Sequence, residues 1–255
     1  MNQKPLTIRL NRFLAQCGLG SRRKCDELIA GGHIYCNGKR VDVMGQQIDP
    51  ATDRIEYRGR RISRIKGLEY LAYYKPREVM VTADDPQGRA TIYSTLLADR
   101  HDIHHLRYVG RLDYQSEGLL LLTNDGEIIH ALTHPRFHIK KVYHVKVERR
   151  LSPEEIVQLL EGILSDGQLL HAGSIDELSE SGSGRQQYWY KIELFEGKNR
   201  QLRRMFEALS LHVGRIRRVQ FGPVRLGSLS PGEFRPLTPK EIAALRNAGY
   251  QSRVR

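Results

Sequence analysis

The sequence is short of cysteine, of tryptophan and of acidic side chains, and it has no long apolar run. Its three cysteines, Cys17, Cys25 and Cys36, are odd in number and show no C-x-x-C spacing. A disulfide framework or thiolate metal site is therefore not expected, and in a reducing compartment they act as small core hydrophobes. No apolar stretch approaches the roughly 20 residues of a bilayer-spanning helix. The opening MNQKPLTIRL also lacks the apolar core and small-residue cleavage site of a secretory signal. The expectation is a cytoplasmic protein without a membrane partner. Zinc-protease, calcium-loop, G-x-S-x-G and phosphate-loop patterns are absent, which argues against hydrolases and nucleoside triphosphatases. Gly182-Ser183-Gly184 does not follow a strand and open a helix, so it is a flexible loop rather than a dinucleotide fingerprint. His101, Asp102, His104 and His105 cluster without a metal-ligand pattern and read as a polar surface loop.

What the chain does have is positive charge. Forty-one Lys and Arg against 29 Asp and Glu give +12 over 255 residues, and a pI near 9.8 points to a polyanionic partner. The surplus is segregated. Residues 1–64 carry +7, residues 198–225 carry +7, and the remainder carries −2. Two islands in a near-neutral scaffold imply two phosphate-contacting surfaces.

In the first island Leu10, Phe13, Leu14 and Cys17 recur at helical spacing up to Gly18. A second helix opens at the N-cap Ser21, with Cys25, Leu28 and Ile29 on its apolar side and Gly31-Gly32 at its end. Its first turn is Arg22-Arg23-Lys24, although the positive end of a helix dipole favours acids there. Free backbone N–H groups and three cations at one helix start make a phosphate site. A strand from His33 to Cys36 reaches Asn37-Gly38, the preferred type I′ hairpin pair, with Lys39 and Arg40 just beyond. The second island repeats the anomaly: Gly197-Lys198-Asn199 precedes a helix with Leu202, Met205, Phe206 and Leu209 on one side and Arg200, Arg203 and Arg204 in its first turn.

After a short linker at 63–67 the texture changes to strands, expected at 69–74, 79–82, 119–122, 143–147, 188–195 and 213–221. Two helices have clear starts, Ser152-Pro153-Glu154-Glu155 and Thr238-Pro239-Lys240-Glu241. Strands and helices do not alternate regularly, so the expected fold is α+β: a small N-terminal helix-hairpin module, then a larger domain with a mainly antiparallel mixed sheet and flanking helices.

The segment Val109-Gly-Arg-Leu-Asp-Tyr-Gln-Ser-Glu-Gly-Leu-Leu-Leu-Leu-Thr-Asn-Asp-Gly126 holds the most information. Arg111 and Asp113 lie in a loop before a strand apolar enough to be buried on both faces. Asp113 is either an acid placed for chemistry or a turn residue bonded to its own backbone. Tyr143 alternates with Val145 and Val147 and points toward the core, where a plain structural tyrosine is the alternative.

Segment 109–126 resembles the central motif of the RNA pseudouridine synthases, in the branch typified by the small-subunit ribosomal enzyme and its large-subunit relatives. Lys141-Val-Tyr-His-Val145 resembles the family's second motif and Glu196-Gly-Lys-Asn-Arg-Gln-Leu-Arg-Arg-Met-Phe206 its third. The tail segments 221–226 and 232–238 fit as well, and residues 9–60 resemble the S-four-type RNA-binding module. The resemblance implies an RNA-binding domain at 8–64 and a catalytic domain at 68–250, without cofactor or metal. It makes Asp113 the catalytic aspartate, Tyr143 the ring beside the target uracil, Arg203 the basic partner of Asp113 and Arg111 a holder of the flipped nucleotide. An arginine within about 4–6 Å would keep the carboxylate ionised, ready to attack the sugar or take a sugar proton. RNA contacts are expected from Arg22, Arg23, Lys24, Lys39, Arg40, Lys198, Arg200 and Arg204. The implied activity is conversion of uridine to pseudouridine in ribosomal RNA of the large subunit, free or in an assembling particle, by a monomer. Small-subunit ribosomal RNA, transfer RNA and a non-catalytic ribosome-assembly role are the alternatives. Tyr74, Glu78 and Ser210 depart from the family pattern, where Asn, Gly and Gly are usual.

Overall fold

The computed structural model describes residues 7–65, 67–97, 103–179 and 188–251. The chain divides into two compact units, Met1–Leu68 with Arg100–Arg107, and Glu69–Asp99 with Tyr108–Arg255. Gly182-Ser183-Gly184, His101 and Asp102 lie outside the described residues, as does the side chain of His104.

In the first unit β1 (Ile8–Arg9) leads into α1 (Leu10–Gln16), and α2 (Arg22–Ala30) follows. Ser21 caps α2, its side chain accepting from the Lys24 N–H at 3.2 Å. The strands are β2 (Ile34–Cys36), β3 (Lys39–Val41), β4 (Gln47–Ile48), β5 (Ile55–Tyr57) and β6 (Arg60–Arg61), with order β3-β2-β5-β6 and a separate β1-β4 pair. The β2–β3 hairpin turns at Asn37 (φ 52°) and Gly38 (φ 77°), the left-handed pair that a two-residue turn of primed type requires. Leu10, Phe13, Leu14, Cys25, Ile29, Ile34, Val41, Ile48 and Ile55 form the core of this unit.

The second unit is built on a nine-stranded sheet. Its strands in chain order begin with β7 (Tyr70–Lys75), β8 (Arg107–Val109), β9 (Glu117–Thr123) and β10 (Lys141–Val147). A separate hairpin pairs β11 (Ile163–Ser165) with β12 (Gln168–Leu170). The large sheet resumes with β13 (Ser174–Leu178), β14 (Tyr188–Leu194), β15 (Val213–Phe221), β16 (Val224–Arg225) and β17 (Phe234–Pro236). The main path runs β13-β14-β10-β15-β9-β7-β17. Every pairing on it is antiparallel except β15 with β9, where Arg217 and Arg218 lie opposite Glu117 and Gly118. This parallel joint unites two antiparallel halves, in keeping with the mixed sheet expected.

The helices are α3 (Ile92–Leu97), α4 (Gly126–Thr133), α5 (Pro153–Glu161), α6 (Gln201–Glu207) and α7 (Pro239–Gln251). Both expected caps are present: Ser152 and Glu155 form a full capping box, and Thr238 accepts from the Glu241 N–H at 3.2 Å. All seven residues of β9 are buried, as its apolar run requires. The strand expected at 79–82 is absent: Met80 makes only an isolated bridge to Thr91. The sequence reading also missed α4, which Asp125 caps by accepting from the N–H groups of Glu127 and Ile128.

Candidate active site

The loop between β8 and β9 carries Arg111 and Asp113, and four backbone contacts hold it. The Ser116 N–H donates to the Asp113 carbonyl at 3.0 Å and the Glu78 N–H to the Tyr114 carbonyl at 2.7 Å. Arg203 donates to the Gln115 carbonyl at 3.3 Å and Arg218 to the Arg111 carbonyl at 3.3 Å. The turn at Asp113 thus uses its backbone oxygen, and among the described residues its carboxylate makes no hydrogen bond. Asp113 lines an open cleft.

The cleft gathers six of the twelve site residues singled out from sequence: Arg111, Asp113, Tyr143, Lys198, Arg200 and Arg203. Arg111, Leu112, Asp113 and Ser116 line it from the loop, and Tyr143 from β10. Leu194, Gly197, Lys198 and Arg200 come from the end of β14 and the turn after it. Gln201, Leu202 and Arg203 of α6 and Ile216 of β15 complete the wall. Tyr143 is 8% exposed, so its ring is packed while one part of it faces the cleft. Ile216 and Leu202 add apolar surface to the wall that Tyr143 shares, a setting in which a flat heterocycle can stack.

Arg203 is half-buried, with its Nε enclosed and unbonded among the described residues. It donates to the carbonyls of Val213 and Gln115, and no ion pair within 4.0 Å joins it to Asp113 among the described residues. Burial holds its pKa below the usual arginine value, with the Arg200 cation acting in the same direction and Asp113 against it. The direct pair implied by the resemblance is therefore a through-space interaction in this structure.

The second basic island is not a continuous phosphate face. Arg215 and Arg217 both bond to the buried carboxylate of Glu117, at 2.7 and 2.9 Å. Burial opposes ionisation of Glu117, but the two guanidinium groups outweigh it and hold the carboxyl below its ordinary range. Arg204 lies away from the cleft, tied to Asp166 at 3.0 Å and to Ser165 and Gln168 of the β11–β12 hairpin. Lys198 and Arg200 line the cleft while paired with Glu196 (3.1 Å) and Glu207 (3.3 Å). Arg200 is the N-cap of α6 at φ 48°, and its side chain makes no cap bond. Much of the +7 counted from sequence is compensated inside the fold. In the first unit Arg22, Arg23, Lys24, Lys39 and Arg40 are all exposed, and Lys24 pairs with Glu27 at 2.8 Å.

Three residues around the cleft were not singled out from sequence. Lys75 is wholly buried, donates to the Pro76 carbonyl at 2.7 Å, and is pushed down to about 8 by burial, against the pull of Asp113 and Glu117. Gln201 is 3% exposed and ties the turn together, donating to Glu196 at 2.7 Å and accepting from the Lys198 N–H. Arg218 is the third. Its sequence signal was its phase: it alternates with the buried Ile216, while Arg215 and Arg217 take the other phase of β15.

Among the described residues no group of His, Cys, Asp and Glu is arranged to hold a metal ion, and no helix is long and apolar enough to cross a membrane.

Residues 69–208 match the RNA pseudouridylate synthase family, and residues 8–55 match the S4 domain. A Bacillus subtilis (strain 168) protein named ribosomal large subunit pseudouridine synthase B is 37% identical over 240 residues, 93% of this chain and 95% of the relative. A Pseudomonas aeruginosa protein of the same name is 37% identical over 248 residues, 94% of this chain and 62% of the relative. A crystal structure described as a pseudouridylate synthase is 29% identical, with a TM-score of 0.64, over 93% of this chain and 99% of that one.

Proposed function

This chain belongs to the RNA pseudouridylate synthase family, and on that premise we propose that it converts uridine to pseudouridine in large-subunit ribosomal RNA, with Asp113 as its catalytic carboxylate. The observation that carries the assignment of the site is one cleft that brings the unbonded carboxylate of Asp113 together with Tyr143, Arg203, Arg111, Lys198 and Arg200. The named relatives carry the choice of the large subunit.

The reaction breaks the bond from ribose C1′ to uracil N1 and forms one from C1′ to C5. The C5 proton is released and N1 takes one up, so no oxidant or reductant enters. Whether the carboxylate attacks the sugar or removes a sugar proton, it must be ionised, and Arg203, Lys75 and Arg218 are cations that favour this form. Tyr143 offers its ring to the uracil once the nucleotide leaves the RNA stack, and Arg111 with Lys198 and Arg200 faces the displaced backbone. Extrusion costs a few kcal/mol, which stacking and phosphate contacts offset.

In this proposal residues 8–64 dock the RNA through Arg22, Arg23, Lys24, Lys39 and Arg40, and residues 68–250 perform the isomerisation as a monomer on free RNA or on an assembling particle in the cytoplasm. Arg204, engaged by the β11–β12 hairpin, supports the wall of the cleft rather than contacting phosphate.

The test is tritium release from large-subunit ribosomal RNA labelled at uracil C5. Wild-type protein should release it and Asp113→Asn should not. Equal release from both, or none from either, would reject the assignment, and pseudouridine mapping with and without the protein would locate the nucleotide.

A further inference from the structure

Arg218 is among the largest side chains wholly withdrawn from solvent, 2% exposed in the middle of the sheet. Its Nε donates to the Leu119 carbonyl of β9 at 2.7 Å, and its Nη1 to the Arg111 carbonyl at 3.3 Å. The guanidinium carbon lies 5.0 Å from the centre of the Phe221 ring. Its Nη2 is buried and finds no hydrogen-bond partner among the described residues. Across the β10–β15 pairing Arg218 stands opposite Tyr143, beside an irregularity in register between Val142 and Tyr143. Across the parallel joint it stands opposite Gly118.

A buried cation without a carboxylate partner at bonding distance is unfavourable for stability, and an apolar residue of similar volume generally serves a core better. The groups it touches show what it serves. One arm holds the loop two residues before Asp113, a second holds the strand that follows this loop, and the residue opposite is Tyr143. A lysine cannot reproduce this, because only the planar fork reaches two carbonyl groups in fixed directions at once.

We infer that Arg218 is a positioning residue for the isomerisation: it locks the Asp113 loop to β9 and supplies the buried positive charge behind Asp113 and Tyr143. The inference rests on the proposed role of Asp113 in the cleft. Burial holds the Arg218 pKa below the ordinary arginine value, and Tyr143 and Asp113 counter this, which marks both as groups that its charge reaches. Among the described residues, Lys75 of β7, Arg203 of α6 and Arg218 of β15 are cations that the Asp113 charge reaches, and Arg111, Lys198 and Arg200 line the same cleft.

The experiment compares wild type, Arg218→Lys and Arg218→Met in the full chain, each checked for folding by thermal melting. Carbon-13 NMR follows titration of the Asp113 carboxyl without RNA, the signal being assigned by its loss in Asp113→Asn. Single-turnover tritium release and RNA affinity are measured in parallel. In Arg218→Met the carboxyl should titrate at a pH higher by about one unit, since a cation favouring its ionised form is gone. Single-turnover release should fall by about 100-fold, the scale of a misplacement near 1 Å, with RNA Kd within about threefold of wild type. In Arg218→Lys the charge remains but the fork is lost, so the titration should return toward wild type while the rate stays depressed. An unmoved titration in a folded Arg218→Met, a full wild-type rate in Arg218→Lys, or a rate loss matched by an equal loss of RNA affinity would each overturn the inference. A wild type that releases no tritium from any RNA would instead sink the assigned activity, and the NMR arm would still decide the role of Arg218.

Discussion

A single methyl group added at Gly118 tests the parallel joint of the sheet. Gly118 has φ +103°, which L side chains rarely adopt, and a Cβ placed there would lie 2.8 Å from the Arg218 backbone nitrogen, 3.0 Å from its carbonyl carbon and nearer still to its carbonyl oxygen. These are backbone atoms of a buried strand, so relief requires β15 and β9 to part. Overpacking of this kind costs about 1–3 kcal/mol. The unfavourable φ adds about 1–2 kcal/mol. Together the Gly118→Ala penalty is about 2–5 kcal/mol, and for a domain of this size each kcal/mol lowers Tm by roughly 2–4 °C. The variant should therefore melt roughly 4–20 °C below wild type, the width of the range reflecting how far β15 can yield. Differential scanning calorimetry measures the melt, and tritium release at 20 °C measures whether the Asp113 loop has moved with β9. A Gly118→Ala protein with wild-type Tm and wild-type release would refute both the close approach and its bearing on the cleft.

Lys75→Met replaces a buried ammonium with an apolar chain of similar length. Burial holds folded Lys75 down to about 8, below the ordinary lysine value of about 10.4, so between those pH values the unfolded chain binds more protons. Wild-type stability should accordingly gain on the variant as pH rises through that window, by about 3 kcal/mol in total, and a flat difference in urea midpoints would show that Lys75 is not held in this way. Neutralising Arg22 and Arg23 together should flatten the slope of log affinity against log salt by about two units, whereas Lys24→Ala, whose lysine already pairs with Glu27, should change it less. An unchanged slope in the double variant would make this helix start a solvated face. Cys25, fully buried and raised by burial to about 11, should resist iodoacetamide at pH 8 until the protein unfolds. Labelling of native Cys25 as fast as the more exposed Cys36 would contradict its place in the core.

Local signals in the sequence were legible where a residue type admits one conformation. Asn37-Gly38 specified its turn, Ser152 and Thr238 their helix starts, and the apolar run 119–122 a strand covered on both faces. Asp113, Tyr143 and Arg203 were legible as a set only through motifs in order, because the loop, β10 and α6 come together through sheet pairing over long sequence distances. Two things were hidden for physical reasons. The charge count treated every arginine of 198–225 alike, although the partners that compensate Arg204, Arg215 and Arg217 lie at 165–168 and at 117. The helix at 126–133 was missed because its cap, Asp125, sits in an Asn-Asp-Gly run that reads equally as a turn.

Arg200 shows how selection on one property would act on another. A non-glycine residue held at positive φ with no cap bond is strained, and Arg200→Gly should relieve about 1 kcal/mol. The same change removes a cation from the cleft wall. With Arg200 in its proposed role at the RNA backbone, a laboratory lineage selected for survival at high temperature would drift toward glycine at this position and bind RNA less well, while one selected for turnover at low substrate would keep the arginine and its strain. Under that proposal the backbone at residue 200 is a point where heat tolerance and substrate capture are opposed, and sequencing such lineages would show which demand prevailed.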